Sequence, residues 1–217
     1  MTIEAQYTYE RLVFSSGPLF DEFYGIYVES MPLRERKPKP LISAIVNRTD
    51  YKVILLKRNT VTIGFSMLFT PAKESFCLLE YMAVHSAYRN IGLGSKLFLH
   101  TLKDVVSNGG TVHCLLEVDS DREQSADQEI RRRRQLFYKK LGCFRIDGLT
   151  YVLPLPGEGP PPQMDLMVYS PDSQPLIRKP QLEHWLKVIY NQVYNCSPND
   201  PRIVHMMEAV GDPVTLV

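Results

Sequence analysis

The sequence is short of three things: cysteine, net charge and long apolar runs. Its 217 residues include four cysteines, Cys77, Cys114, Cys143 and Cys196, and none stands at the C-x-x-C spacing that metal sites use. Three of them lie in or beside apolar, strand-like runs, where free cysteine behaves as a small core residue. A reducing, cytoplasmic setting is therefore expected. With a formal net charge of +1, no global field recruits nucleic acid or a membrane surface. No uncharged apolar run approaches the roughly 18 residues of a membrane span. Residues Met1-Thr2-Ile3-Glu4-Ala5 lack the basic segment and apolar core of a signal peptide, so none is expected. There is no internal repeat, and no metal is implied. What is present is an ordinary globular composition, 44% hydrophobic, at a length that suits one domain or one domain with an appendage.

Along the chain, residues 3 to 14 alternate loosely and predict a first strand. Ser15-Ser16-Gly17-Pro18 breaks it and starts a helix with apolar groups at 19, 20, 23, 24, 27, 28 and 31, ending near Met31-Pro32. Residues 34–40 are charged and proline-rich and read as a loop, and a short helix is expected over 41–47. Tyr51–Leu56 and Val61–Phe69 read as two strands of a hairpin around Arg58-Asn59. Cys77–Val84 is a third strand, apolar throughout except for one carboxylate, Glu80. A helix follows, with apolar spacing at 97, 98, 102, 105 and 106, and Asn108-Gly109-Gly110 ends it. Thr111–Val118 reads as a buried strand that pairs in parallel with Cys77–Val84 through that crossover helix. A charged stretch then leads into a helix ending at Lys140-Leu141-Gly142. Strand character resumes at Phe144–Ile146 and Thr150–Leu153, a proline-rich connection spans 154–162, and Met164–Tyr169 is a last strand. A helix after Pro180 and a second over 201–210 complete the pattern.

Between the Cys77 strand and the following helix stands Arg89-Asn90-Ile91-Gly92-Leu93-Gly94. Glycines at a helix start let backbone N–H groups approach a phosphate closely, and the positive end of the helix dipole favours the negative charge. The segment is read as an anion cradle. It lacks the Lys-Ser/Thr ending of a P-loop and an acidic ribose partner at dinucleotide spacing.

Strand, R-x-x-G-x-G, helix, strand and helix, followed by Leu141-Gly142-Cys143-Phe144, resemble in this order the GNAT superfamily of acyl-CoA-dependent N-acyltransferases. Leu79–Val84 with Tyr88–Gly94 is similar to that family's strand and pyrophosphate loop, and Leu136–Phe144 to its later helix and strand. The resemblance implies an α/β fold with a mixed, mostly antiparallel central sheet. A central parallel strand pair would be splayed at the acyl-CoA site, with helices on both faces and extra C-terminal helices. It implies a GNAT-like domain over 1–171, with 172–217 as a helical extension packed on it. The sequence departs from the family at two places. Asp119-Ser120-Asp121-Arg122 stands where members often carry an Asn, and Arg134 takes the small-residue position four before Tyr138.

By this resemblance, the backbone at Met82, Ala83 and Val84 holds the pantetheine arm of acetyl-CoA. Arg89, Asn90, Ile91, Gly92, Leu93, Gly94 and Ser95 hold its pyrophosphate. Acyl transfer to an amine also needs proton movement. Period-2 alternation puts Glu80 on the face of Met82 and Val84, as base or substrate contact. Its alternative is a satisfied structural acid. Glu117 is the rival carboxylate and a candidate for substrate binding, while His85 and His113 are lesser candidates for base. Tyr138, which the resemblance aligns with the family's tyrosine, is the candidate acid, against a plain aromatic core residue. Tyr24, Tyr27 and Arg34 are expected on the acceptor side, as the family's pattern implies.

The function expected is acetyl transfer from acetyl-CoA to a primary amine, on a small molecule or a peptide, by direct attack. The alternative is a non-catalytic acyl-CoA-binding sensor or interaction module on the same fold. Arg131-Arg132-Arg133-Arg134 does not point to nucleic acid, because residues 119–134 hold five acids and five arginines. Asp127–Arg131 and Glu129–Arg133 are helical i,i+4 pairs. The apolar stripe of Leu182, Trp185, Leu186, Ile189 and Tyr190 covers the domain, lines the acceptor pocket or joins a homodimer.

Overall fold

The computed structural model describes residues 6–106 (backbone alone over 104–106), 113–122, 124–155, 163–170 and 175–217. The expected helix end at Asn108-Gly109-Gly110, the strand residues 3–5 and 111–112, and 156–162 of the proline-rich connection lie outside them. The chain forms two compact units, divided after residue 110.

The first unit contains β1 (Tyr7–Leu12), α1 (Pro18–Ser30), a 3-10 turn (Leu33–Glu35), α2 (Lys39–Val46), β2 (Tyr51–Arg58), β3 (Val61–Phe69), β4 (Phe76–Val84), a second 3-10 turn (Ser86–Tyr88) and α3 (Leu93–Val106). Pro18 opens α1, where a missing N–H costs nothing and φ is pre-set. Pro40 does the same in the first turn of α2, which starts at Lys39 inside the expected loop. The strands run β1-β2-β3-β4, every pairing antiparallel. The β2–β3 turn passes through Asn59 at φ 55°, a conformation asparagine tolerates better than most residues.

Alternation along β3 distributes the helices. Phe65 meets Phe23 of α1 at 4.9 Å between ring centroids, while the next residue, Ser66, shares a 2.7 Å hydroxyl hydrogen bond with Thr101 of α3. Helices therefore cover both faces of this unit's sheet, as expected. On the α3 face, Ile54, Leu56, Ile63, Val84, Leu93 and Leu97 form one cluster, with Met82 and Tyr88 packed against it.

The second unit contains β5 (His113–Asp119), α4 (Gln128–Lys140), β6 (Cys143–Arg145), β7 (Tyr151–Val152), β8 (Gln163–Tyr169), α5 (Lys179–Gln192) and α6 (Pro201–Met207). β8 pairs antiparallel with β5, β6 and β7. The stripe on α5 is buried within this unit, where the Trp185 ring lies 5.3 Å from that of His113. Covering its own unit, rather than exposing a seam, is thus what that stripe does. Residues near 216 bridge back to Ile146, and Arg145 and Val217 exchange backbone hydrogen bonds of 2.8 and 2.9 Å. Cys77, Cys114 and Cys143 are buried, as core residues should be. Both helical ion pairs form, Asp127–Arg131 at 3.1 Å and Glu129–Arg133 at 3.0 Å. Among the described residues, no helix is long and apolar enough to cross a membrane.

Candidate active site

β4 ends at Val84 and delivers the chain, through one 3-10 turn, to the start of α3. Two residues on that path adopt left-handed backbone, Asn90 at φ 65° and Gly92 at φ 83°. A Cβ on Gly92 would meet nothing within 4 Å, so glycine stands there for its φ and not for space. Lys96 N–H bonds to Gly92 O at 3.2 Å, closing the first turn of α3. The amides of Leu93, Gly94 and Ser95 precede the first intrahelical donor, which is the arrangement a phosphate needs. Arg89, Asn90, Ile91 and Gly92 are exposed around them, while Leu93 is buried and anchors the turn in the α3-side cluster. Arg89 itself is used locally, its Nε donating to Val84 O at 2.8 Å. His85 is used in the same way. Its Nδ1 accepts from Ala87 N at 3.3 Å and its Nε2 lies 3.3 Å from Glu29, so this imidazole caps a turn.

Glu80 departs from simple alternation. Met67 pairs with Tyr81, and Leu68 with Leu79, so Glu80 is the extra residue of a β-bulge in β4. The bulge turns Glu80 away from the face of Met82 and Val84, where period-2 counting puts it, and onto the α1 side with Tyr81. Its contacts follow. Oε2 accepts from Tyr51 Oη at 2.8 Å, and Oε1 pairs with the Lys37 ammonium. The Glu80 side chain is only 2% exposed, so this partnering is what makes a charge tolerable there.

The neighbouring aromatics tie down the 33–37 loop. Tyr27 Oη accepts from Lys37 N at 2.7 Å, and Tyr81 Oη donates to Glu35 O at 3.1 Å. Tyr27 is fully buried, and burial raises its phenol above the ordinary value. Tyr24 packs on Phe20 and Tyr27, with Lys39 Nζ 5.3 Å from its ring centroid. Arg34 sits exposed in the 3-10 turn. Lys37 and Tyr51 are the residues that sequence reasoning missed. No local signal marks them, since a lysine in a charged loop and a tyrosine at a strand start reach Glu80 only through the fold.

In the second unit, Tyr138 lies on the buried side of α4, its ring edge-on to Phe137 at 5.0 Å. Burial pushes its phenol well up, with only partial relief from the charge of Arg134, so the hydroxyl stays protonated throughout the neutral range. Glu117 accepts hydrogen bonds from the Tyr151 and Tyr194 hydroxyls. Burial, and then the Glu117 charge, raise the Tyr151 phenol far above its usual value. His113 is buried beside Trp185. The departure at 119–122 is held internally, with Arg122 pairing the fully buried Asp165 and Gln135 donating to Asp119 O at 2.9 Å. No cluster of metal-ligating side chains occurs among the described residues.

A sequence model of the acetyltransferase (GNAT) family matches residues 20–142. The chain belongs to the GNAT acetyltransferase family. No curated protein sequence matches it. Among solved structures, a GNAT-family protein from Bacteroides thetaiotaomicron is similar at 22% identity, over 88% of this chain and 99% of that one, with a TM-score of 0.70. An aminoglycoside 6'-N-acetyltransferase complexed with coenzyme A is 19% identical over 76% of this chain and 99% of its own (TM-score 0.58). A GNAT acetyltransferase from Elizabethkingia anophelis with acetyl-CoA bound is 17% identical over 76% and 97% (TM-score 0.55). At such identities these likenesses carry the fold alone, and that fold is the mixed α/β, mostly antiparallel GNAT fold.

Proposed function

We propose that this GNAT protein is an N-acetyltransferase that moves an acetyl group from acetyl-CoA to a primary amine by direct attack, with no covalent enzyme intermediate and no metal. Support comes chiefly from one arrangement in the first unit: a helix start built on two left-handed residues, fed by a strand that carries a bulged, buried carboxylate. Backbone groups of Met82, Ala83 and Val84 hold the pantetheine arm, and the turn from Arg89 to Ser95 holds the pyrophosphate. Glu80 is the base, taking the acceptor's proton directly or through water. Tyr138, whose phenol is protonated at neutral pH, is the acid at the departing thiol. Glu117, Tyr24, Tyr27 and Arg34 belong to the acceptor side. The acetyltransferase domain spans 1–171 with 172–217 as its helical extension, and the free cysteines suit a reducing cytoplasm.

A second reading, a non-catalytic acyl-CoA-binding module, draws on one observation. Both Glu80 oxygens are already engaged, one by Lys37 and one by Tyr51. Thiol release from acetyl-CoA, followed over polyamines, aminoglycosides, amino acids and peptides, separates the two. The enzyme reading expects turnover with at least one amine. It also expects Tyr138→Phe to lower kcat by about tenfold or more while leaving acetyl-CoA affinity within about twofold. Tight acetyl-CoA binding with no turnover, and no effect of Glu80→Gln, selects the binding module.

A further inference from the structure

Residues 33–37 form a strap over the α1 side of β4. Arg36 Nε donates to Met31 O at 2.6 Å and Lys37 N to Tyr27 Oη at 2.7 Å. Tyr81 Oη donates to Glu35 O at 3.1 Å. The strap ends in the Lys37 side chain, which is 13% exposed, lies with Nζ 5.3 Å from the Tyr81 ring centroid and pairs with Glu80. A surface ion pair would need no explanation. This one is different, because a primary amine, the acceptor class of the proposed reaction, is seated on the carboxylate proposed as that reaction's base.

Resting on the acetyltransferase reading above, we infer that Lys37 is an internal acceptor: its Nζ is acetylated by acetyl-CoA held along residues 82–95, and the modification frees Glu80. The Lys37 ammonium gives one proton to the Glu80 carboxylate. The nitrogen lone pair then attacks the thioester carbonyl carbon. The C–N bond forms, the C–S bond breaks, and coenzyme A leaves as a thiolate that takes up a proton. Overall, acetyl-CoA and one ammonium give one acetamide, one thiol and one released proton. The acetamide carries no charge, so the ion pair is lost. Glu80 keeps its hydrogen bond from Tyr51 and presents Oε1 to an incoming amine. The unmodified strap thus occupies the seat of the acceptor ammonium, and its own acetylation vacates that seat.

The test uses the full chain with acetyl-CoA whose acetyl group is 13C-labelled, no added amine, and peptide mass spectrometry. Label is expected on Lys37 at a first-order rate independent of protein concentration. In the same sample it should appear at least about tenfold faster than on Lys39, because a held nucleophile reacts intramolecularly. Lys39 is the internal control, since its side chain is 51% exposed. Chain acetylated beforehand should then turn over external amines without the lag shown by unmodified chain. Lys37→Arg, which keeps a cation for Glu80, should take no label at position 37 and show no lag-dependent change. Label on Lys37 no faster than on Lys39, with thiol still released when amines are added, overturns the internal acceptor and leaves the acetyltransferase reading standing. No label and no thiol release with any amine removes both.

Discussion

Single residues carry the chemistry here through the geometry imposed on them. Gly92 sits at φ 83° with open space around its Cα, so Gly92→Ala adds no clash and tests backbone conformation alone. A left-handed alanine costs roughly 1–2 kcal/mol. The turn should relax away from the cradle, and acetyl-CoA affinity should fall by about five- to thirtyfold, as isothermal titration would show. An unchanged Kd would mean that the turn does not grip the ligand. Asp50 offers a pH test away from the site. The Arg48 guanidinium, at 2.8 and 2.7 Å, holds its carboxyl below the ordinary value of 3.8. A depressed carboxyl stabilises the folded chain above its unfolded pKa, and that contribution disappears as pH falls through the lower, folded value. Asp50→Asn should therefore shift the urea midpoint at pH 7 by an amount worth less than about 1 kcal/mol, the pair being partly exposed. The gap should close between pH 4 and lower values, and a gap independent of pH would refute the assignment.

At the level of elements, β4 shows how one extra residue redirects a site. Glu80 was legible in the sequence as the lone carboxylate of an apolar strand, but its face was not. Alternation assumes an unbroken ladder, and the bulge breaks it between the Leu79 and Tyr81 pairings. The partner strand supports β4 by close approach. A Cβ on Gly64 would stand 2.8 Å from Ala83 O and 3.4 Å from Val84 Cα, both backbone atoms that cannot swing aside. Gly64→Ala should therefore push β3 from β4 beside the residues proposed to hold the pantetheine arm. A loss of about 1–3 kcal/mol is expected, read from urea denaturation, with weaker acetyl-CoA binding alongside. Undiminished stability would show that the strands part without cost. Helix starts were easier to read, because Pro18 and Gly92 act through their own φ values. The α2 boundary was missed because Pro38 and Pro40 resemble loop signals until a helix N-terminus claims them.

For the molecule as a whole, the second unit depends on its last helices. Leu182, Trp185, Leu186, Ile189 and Tyr190 of α5 are almost completely buried. Each such side chain contributes roughly 1.5–3 kcal/mol by leaving water, which together rivals the whole stability of about 5–15 kcal/mol of a typical domain. Ending the chain after Ser170 should abolish a cooperative thermal transition by circular dichroism. A sharp melt in that truncated form would show that α5 and α6 are dispensable. The sequence by itself determined the order of elements, the glycine turn at the start of α3, the i,i+4 pairs of α4 and the family, because each depends on neighbours within a few residues or on a motif. Only the tertiary structure decided that Lys37 and Tyr51 meet Glu80 and that two tyrosines hold Glu117. It also decided that α5 faces inward. Those contacts join positions 29 to 77 residues apart, and side-chain partners at such separations are set by strand register and helix placement, which no local pattern encodes.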